Sequence, residues 1–185
     1  MAYYRCMGNG GGTPSVSSAE KLCECSENSE KSVYDTDNQH IADFGGTYGT
    51  ITQGTNYSEY LSYDSTTHKF TVLKDFVALF IPWTFNYATA STTYSHGEFY
   101  INNTKIDEWE SETKTEGYFE GRCLAVALEV GDTFYVYTPS GDGYPEQNLK
   151  VYNLHTSTDS VSVLNEAFIL YSGYDTRLTG GRVSS

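Results

Sequence analysis

The stretch Leu124–Gly141, LAVALEVGDTFYVYTPSG, decides the fold. Leu124, Val126, Leu128 and Val130 alternate with Ala125, Ala127 and Glu129, the period-2 pattern of a half-buried strand. Gly131-Asp132 breaks the run, and Gly131 supplies whatever positive φ the corner needs. Alternation resumes at once, with Phe134 and Val136 on one face and Tyr135 and Tyr137 on the other. Pro139, Gly141 and Gly143 end the second strand. The second faces carry two alanines on one strand and two tyrosines on the other. Such faces call for a packing partner, so Ala125, Ala127, Tyr135 and Tyr137 are expected at a subunit interface.

The rest of the chain reads the same way. It has 185 residues, 17 of them tyrosine and 17 glycine, a composition that favours strands and tight turns. The net charge of −13 argues against nucleic acid and against an anionic membrane surface, both of which need a basic face. The longest apolar run, Phe76 to Trp83, is far short of the roughly 20 residues of a spanning helix. Met1 to Gly12 has one positive charge, Arg5, and no apolar core, so no signal peptide is expected.

Three segments are expected. Residues 1–50 form a low-structure, Gly/Ser-rich anchor or tail, with a helical turn or two over Ala19–Lys31 behind a Ser18 cap. Residues 51–172 form the main domain. Its strands fall at Ser58–Tyr63, Lys69–Leu73, Phe76–Phe85, Glu98–Asn102, Lys105–Trp109, Tyr118–Val130, Thr133–Thr138, Leu149–Leu154 and Ala167–Tyr171. Pro82 predicts a bulge or an edge position. Asn102-Asn103-Thr104 predicts a hairpin turn with positive φ. Residues 173–185 read as a loose tail. Eight to ten short strands with no substantial helix imply an all-β fold of two sheets face to face.

The order of motifs resembles a C1q-like or TNF-like jelly roll. KFTVLKDFVALFIPW is similar to its opening strands, GEFYINNTKI to its Asn-turn strand, LAVALEVGDTFYVYTPSGDG to its Gly-Asp corner, and NEAFILYSG to its closing strand. The resemblance covers roughly residues 57–172. It implies a homotrimer packed through aromatic and small residues. No collagen-like stalk and no secretion signal are expected. A short Gly-rich segment before the domain resembles instead a bacteriophage fibre, tail or capsid-decoration protein, made in the bacterial cytoplasm and carried on the virion. Residues 1–50 would then attach the chain to other virion proteins.

Candidate chemistry is sparse. Cys23-x-Cys25 with Cys6 and His40 lacks the second ligand pair of a structural zinc site. Asp132, Asp142 and Glu146 lack the spaced Asp repeat of a calcium loop. The histidines have no nucleophile motif beside them, and Glu108/Glu110 and Glu116/Glu120 read as exposed charge. No catalytic residue, metal or cofactor is expected. Aromatic rings in polar stretches can stack on sugars, which makes Tyr94, Trp109 and Tyr144 the candidates for contact with a host-surface glycan. The expected function is a non-enzymatic trimeric virion structural protein. A stand-alone carbohydrate-binding module or adhesin is the alternative, and a glycan-degrading enzyme the third reading.

Overall fold

The computed structural model describes residues 3–5, 19–27, 40–86, 95–111, 118–139 and 145–154. Thirteen strands are described: β1 (Tyr3–Arg5), β2 (Ala19–Glu27), β3 (His40–Ile41), β4 (Gly49–Gln53), β5 (Leu61–Asp64), β6 (Lys69–Val72), β7 (Phe76–Asn86), β8 (Ser95–Ile101), β9 (Thr104–Ser111), β10 (Tyr118–Gly121), β11 (Leu124–Leu128), β12 (Thr133–Thr138) and β13 (Pro145–Leu154). One short helix, α1, spans Tyr57–Tyr60. A seven-stranded sheet runs β1-β11-β7-β13-β2-β4, with β10 also on β7. A six-stranded sheet runs β5-β6-β12-β8-β9, with β3 also on β12. The two sheets form a sandwich.

Alternation sets the inner faces. β7 turns Phe76, Ala78 and Phe80 inward, β11 turns Leu124, Val126 and Leu128, and β12 turns Phe134 and Val136. Across the gap Phe80 meets Phe134 and Phe99, each at 4.7 Å between ring centroids, and Phe70 stacks on Phe134 at 4.9 Å. Rings at that spacing add to the area they bury.

Gly131 has φ +92°, as its place in the corner requires. Asn102 and Asn103 have φ 50° and 61°, and β8 and β9 pair across them as the expected hairpin.

Pro82 neither bulges β7 nor sits at an edge. β7 lies between β13 and the β10/β11 pair, and the pairing offset is the same before and after Pro82. Opposite Pro82, Arg122 donates its N–H to the Pro82 carbonyl, but Pro82 has no N–H to return. The partner strand therefore breaks there, and Tyr118–Val130 becomes β10 and β11.

The first fifty residues contribute to the core. Ala19–Glu27 is a strand rather than a helix. Leu22, Cys23 and Cys25 are fully buried, and β2 pairs with β13 on one side and β4 on the other. The register skips Leu22, so Leu22 and Cys23 both turn inward, as at a bulge. Pairing on both sides outweighs the helical leaning of an Ala-Glu-Lys-Leu composition. Two further expectations change at their ends: Tyr57–Tyr60 is helical before β5 begins, and Pro145–Asn148 belongs to β13. The expected strand Ala167–Tyr171 and the tail 173–185 lie outside the described residues.

Among the described residues, several polar ties close the sandwich. Trp109 Nε1–H donates to Thr84 Oγ1 at 2.7 Å. Thr84 donates to Gln147 Oε1 at 2.8 Å, and Gln147 Nε2 donates to Thr138 Oγ1 at 3.0 Å and the His96 carbonyl at 2.9 Å. Elsewhere Glu27 of the seven-stranded sheet takes the Asp43 N–H and pairs with His40 of the six-stranded sheet, both at 2.8 Å. His68 Nδ1 lies 2.9 Å from Asp43 Oδ1.

Phe134→Ala removes the ring that Phe70, Phe80 and Phe99 share. Denaturant unfolding is expected to show a loss of about 3–5 kcal/mol. A loss below about 1 kcal/mol would mean that the sheets are held together elsewhere.

Candidate functional site

With the inner faces committed to the core, any contact surface lies on the outer faces or at the ends. On the six-stranded sheet the outward residues of β12 and β8 are Tyr135, Tyr137, Glu98 and Tyr100. Pairing aligns Asp64, Lys69, Tyr135, Tyr100 and Lys105 in one row across five strands. Tyr100 and Tyr135 stack at 4.9 Å and 3°, and Tyr137 meets Tyr100 edge-on at 6.0 Å. The Lys69 ammonium lies 4.6 Å from the Tyr135 ring centroid. Lys69 and Tyr100 come from the two strands flanking β12, so together they cover both faces of Tyr135, which is 8% exposed. This row offers ring edges to a partner, and Tyr135 has no free face for a sugar.

The charges on this row are also satisfied internally. Lys105 Nζ contacts Glu98 at 3.1 Å and Glu108 at 2.6 Å. That hydrogen bond holds the Glu108 carboxyl below the usual range. Tyr100 O–H donates to Glu98 at 2.7 Å, which pushes its phenol up to about 12. Burial raises Tyr135 as well.

The outer face of the seven-stranded sheet is different. β7 turns Val77, Leu79, Ile81 and Trp83 outward, β11 turns Ala125 and Ala127, with Cys123 just before it, and β13 turns Tyr152 and Leu154. Leu79, Ile81, Ala125 and Leu154 form a second buried apolar cluster, with Ala19, Val77, Trp83, Cys123 and Tyr152 packed around it. Ala127 sits opposite Val77 and is exposed. Lys150 Nζ lies 5.2 Å from the Trp83 ring centroid and 3.3 Å from Glu24.

The four expected interface residues are thus divided. Ala125 and Ala127 lie on one outer face and Tyr135 and Tyr137 on the opposite one. Ala125 and Tyr135 are already buried within one chain, whereas Ala127 is exposed and Tyr137 half-buried.

Trp109 is corrected from a glycan contact to a core residue. It is 1% exposed, and its indole lies against Gly97, where an added Cβ would come within 2.2 Å of the ring. Its N–H is spent on Thr84. Tyr94 and Tyr144 lie outside the described residues.

Cys23 and Cys25 face the core with their sulfurs 3.8 Å apart, while His40 is paired with Glu27. Cys6 lies outside the described residues. Among the described residues no three His, Cys, Asp or Glu side chains converge on a metal position. Asp132 is occupied in the corner, accepting from the Glu129 N–H at 2.9 Å and Asn102 Nδ2 at 2.6 Å. The pairing of Glu27 with His40 and of Asp43 with His68 was not legible, because scattered charges carry no spacing signal. Only the β2 register, which turns Cys23, Cys25 and Glu27 to one side, hints at Glu27.

Among solved structures, the chain is similar to a GITRL from pika, at 13% identity over 75% of this chain and 99% of that one, with a TM-score of 0.43. It is similar to the Eiger TNF of S. frugiperda at 8% identity, over 74% and 94%, with a TM-score of 0.44. It is also similar to a GITRL from bushbaby at 9% identity, over 73% and 98%, with a TM-score of 0.41. The described residues form an all-β two-sheet sandwich. No family model and no curated protein matches the sequence.

The phenols give a pH dependence with a definite sign. Tyr100 rises from the ordinary value of 10.0 to about 12, and Tyr57, Tyr63 and Tyr135 also rise. An acid whose folded pKa is raised stabilises fully below its unfolded pKa, and that stability is lost as pH rises through the folded value. Stability should therefore fall between about pH 10 and 12. Circular dichroism should show the strand signal falling over that range, with further tyrosinate released as it falls. A strand signal unchanged to about pH 12 would contradict the raised phenols.

Proposed function

We propose that the chain is a non-enzymatic assembly and binding module that works as a homotrimer through the outer face of its seven-stranded sheet. The supporting observation is the second apolar cluster, which lies outside the sandwich core. A sheet face exposed only to water would be expected to alternate with polar residues. Around this cluster Val77, Trp83, Cys123 and Tyr152 are incompletely buried, and Ala127 leaves room for a neighbour's side chains.

Closure favours this face over a shared use of both. A ring of three uses two different patches inclined towards one axis, whereas patches on opposite sides of a subunit propagate an open filament. Ala127 and Tyr137 stand on opposite sides, so a closed trimer takes one or the other. The tyrosine row satisfies its own faces and charges, whereas the apolar face surrounds a buried centre with partly exposed Val77, Trp83, Cys123 and Tyr152. In this trimer the tyrosines point outward.

The finer reading is a virion structural protein of a bacteriophage, as a fibre, tail or head decoration. It is supported by the jelly-roll order of motifs and by the Gly-rich residues ahead of β2. Because β1 and β2 both belong to the seven-stranded sheet, the attachment segment shortens to residues 6–18. Host-glycan contact then rests on Tyr94 and Tyr144.

Ala127→Arg tests the face without disturbing the core, because Ala127 is exposed. Analytical ultracentrifugation should show the variant at the mass of one chain while circular dichroism keeps the strand spectrum. A variant that stays trimeric sinks this interface.

A further inference from the structure

Leu73 and Val130, 45% and 63% exposed, are the exposed large hydrophobic residues among those described. They do not lie at random. Leu73 is on the turn from β6 to β7 and Val130 on the corner from β11 to β12. Both connections cross between the sheets at one end of the sandwich. The two turns are hydrogen-bonded to each other: Gly131 N–H donates to the Val72 carbonyl and Val72 N–H to the Asp132 carbonyl, each at 2.9 Å. Asp75 Oδ1 accepts from the Val130 N–H at 2.8 Å. Leu73 N–H donates to the Tyr60 carbonyl at 2.8 Å. Asn102 ties the hairpin into the same corner through Asp132 and the Thr133 N–H, the latter at 2.8 Å.

We propose that this end is a docking knob for a protein partner that offers an apolar surface flanked by basic residues. The apolar pair is held on a backbone pinned from three sides, so little ordering remains to be done on binding. Around it stand Glu59, Asp75, Glu129 and Asp132 against Lys74, which is itself paired with Glu59. That surplus of carboxylates sets the sign of the partner. It repels a second copy of the same end, phosphate backbones and anionic lipid, and attracts lysine and arginine. The knob goes beyond the trimer proposed above and lies on a single chain, so it can be tested in the Ala127→Arg background as well.

The probe is a synthetic amphipathic lysine–leucine peptide, titrated calorimetrically at low and high ionic strength. Leu73→Ser/Val130→Ser should weaken binding about tenfold or more, as expected for loss of a central apolar anchor. Glu129→Gln should weaken it and flatten its salt dependence, while Glu108→Gln, an equal charge change on the far sheet face, should leave it unchanged. Amide exchange should slow over residues 72–75 and 129–132 when the peptide is added. The proposal is overturned if the double variant binds like the parent. It is also overturned if Glu108→Gln weakens binding as much as Glu129→Gln, because net charge alone would then explain the attraction.

Discussion

Phe80 touching Phe134 and Phe99 across the gap is the contact on which the rest of the molecule depends. It joins a strand central to one sheet to two strands central to the other. Once those rings face each other, the pleat fixes the opposite face of each strand. Tyr135 and Tyr137 must point out of one sheet because Phe134 and Val136 point in. Leu79 and Ile81 must point out of the other because Phe80 and Ala78 point in. A one-residue slip in either strand would exchange these sets.

The two outer faces have solved the same problem differently. The six-stranded sheet covers its aromatic residues with one another and with lysine, so its row is closed in chemistry as well as shape. The seven-stranded sheet gathers aliphatic residues around Leu79 and leaves their rim unfinished. A buried hydrogen-bonded network at one end and the Glu27–His40 tie at another edge keep the sheets in fixed relation while either face is loaded.

Much of this was legible in the sequence, because period-2 alternation is a local signal. The Gly131 corner, the Asn102-Asn103 turn and the inward and outward sets of β11 and β12 follow from residues adjacent in the chain. What escaped depends on distant partners. Ala19–Glu27 carries a helix-like composition and becomes a strand because β13 and β4 flank it. Pro82 sits mid-sheet without a bulge because the partner strand, not β7, absorbs the missing donor. Trp109 lies among charged residues and yet is core, since Gly97 opposite it leaves a ring-sized space. The exposed Leu73 and Val130 look like ordinary strand-end residues until the turns that carry them are seen side by side.

We propose that the partly exposed rim on the outer face of the seven-stranded sheet is an interface between copies of this chain. The deciding measurement is absolute mass in solution, by light scattering on the unmodified protein. The expected mass is about three times the 20.6 kDa of one chain. A mass of one chain, held up to high protein concentration, would contradict it.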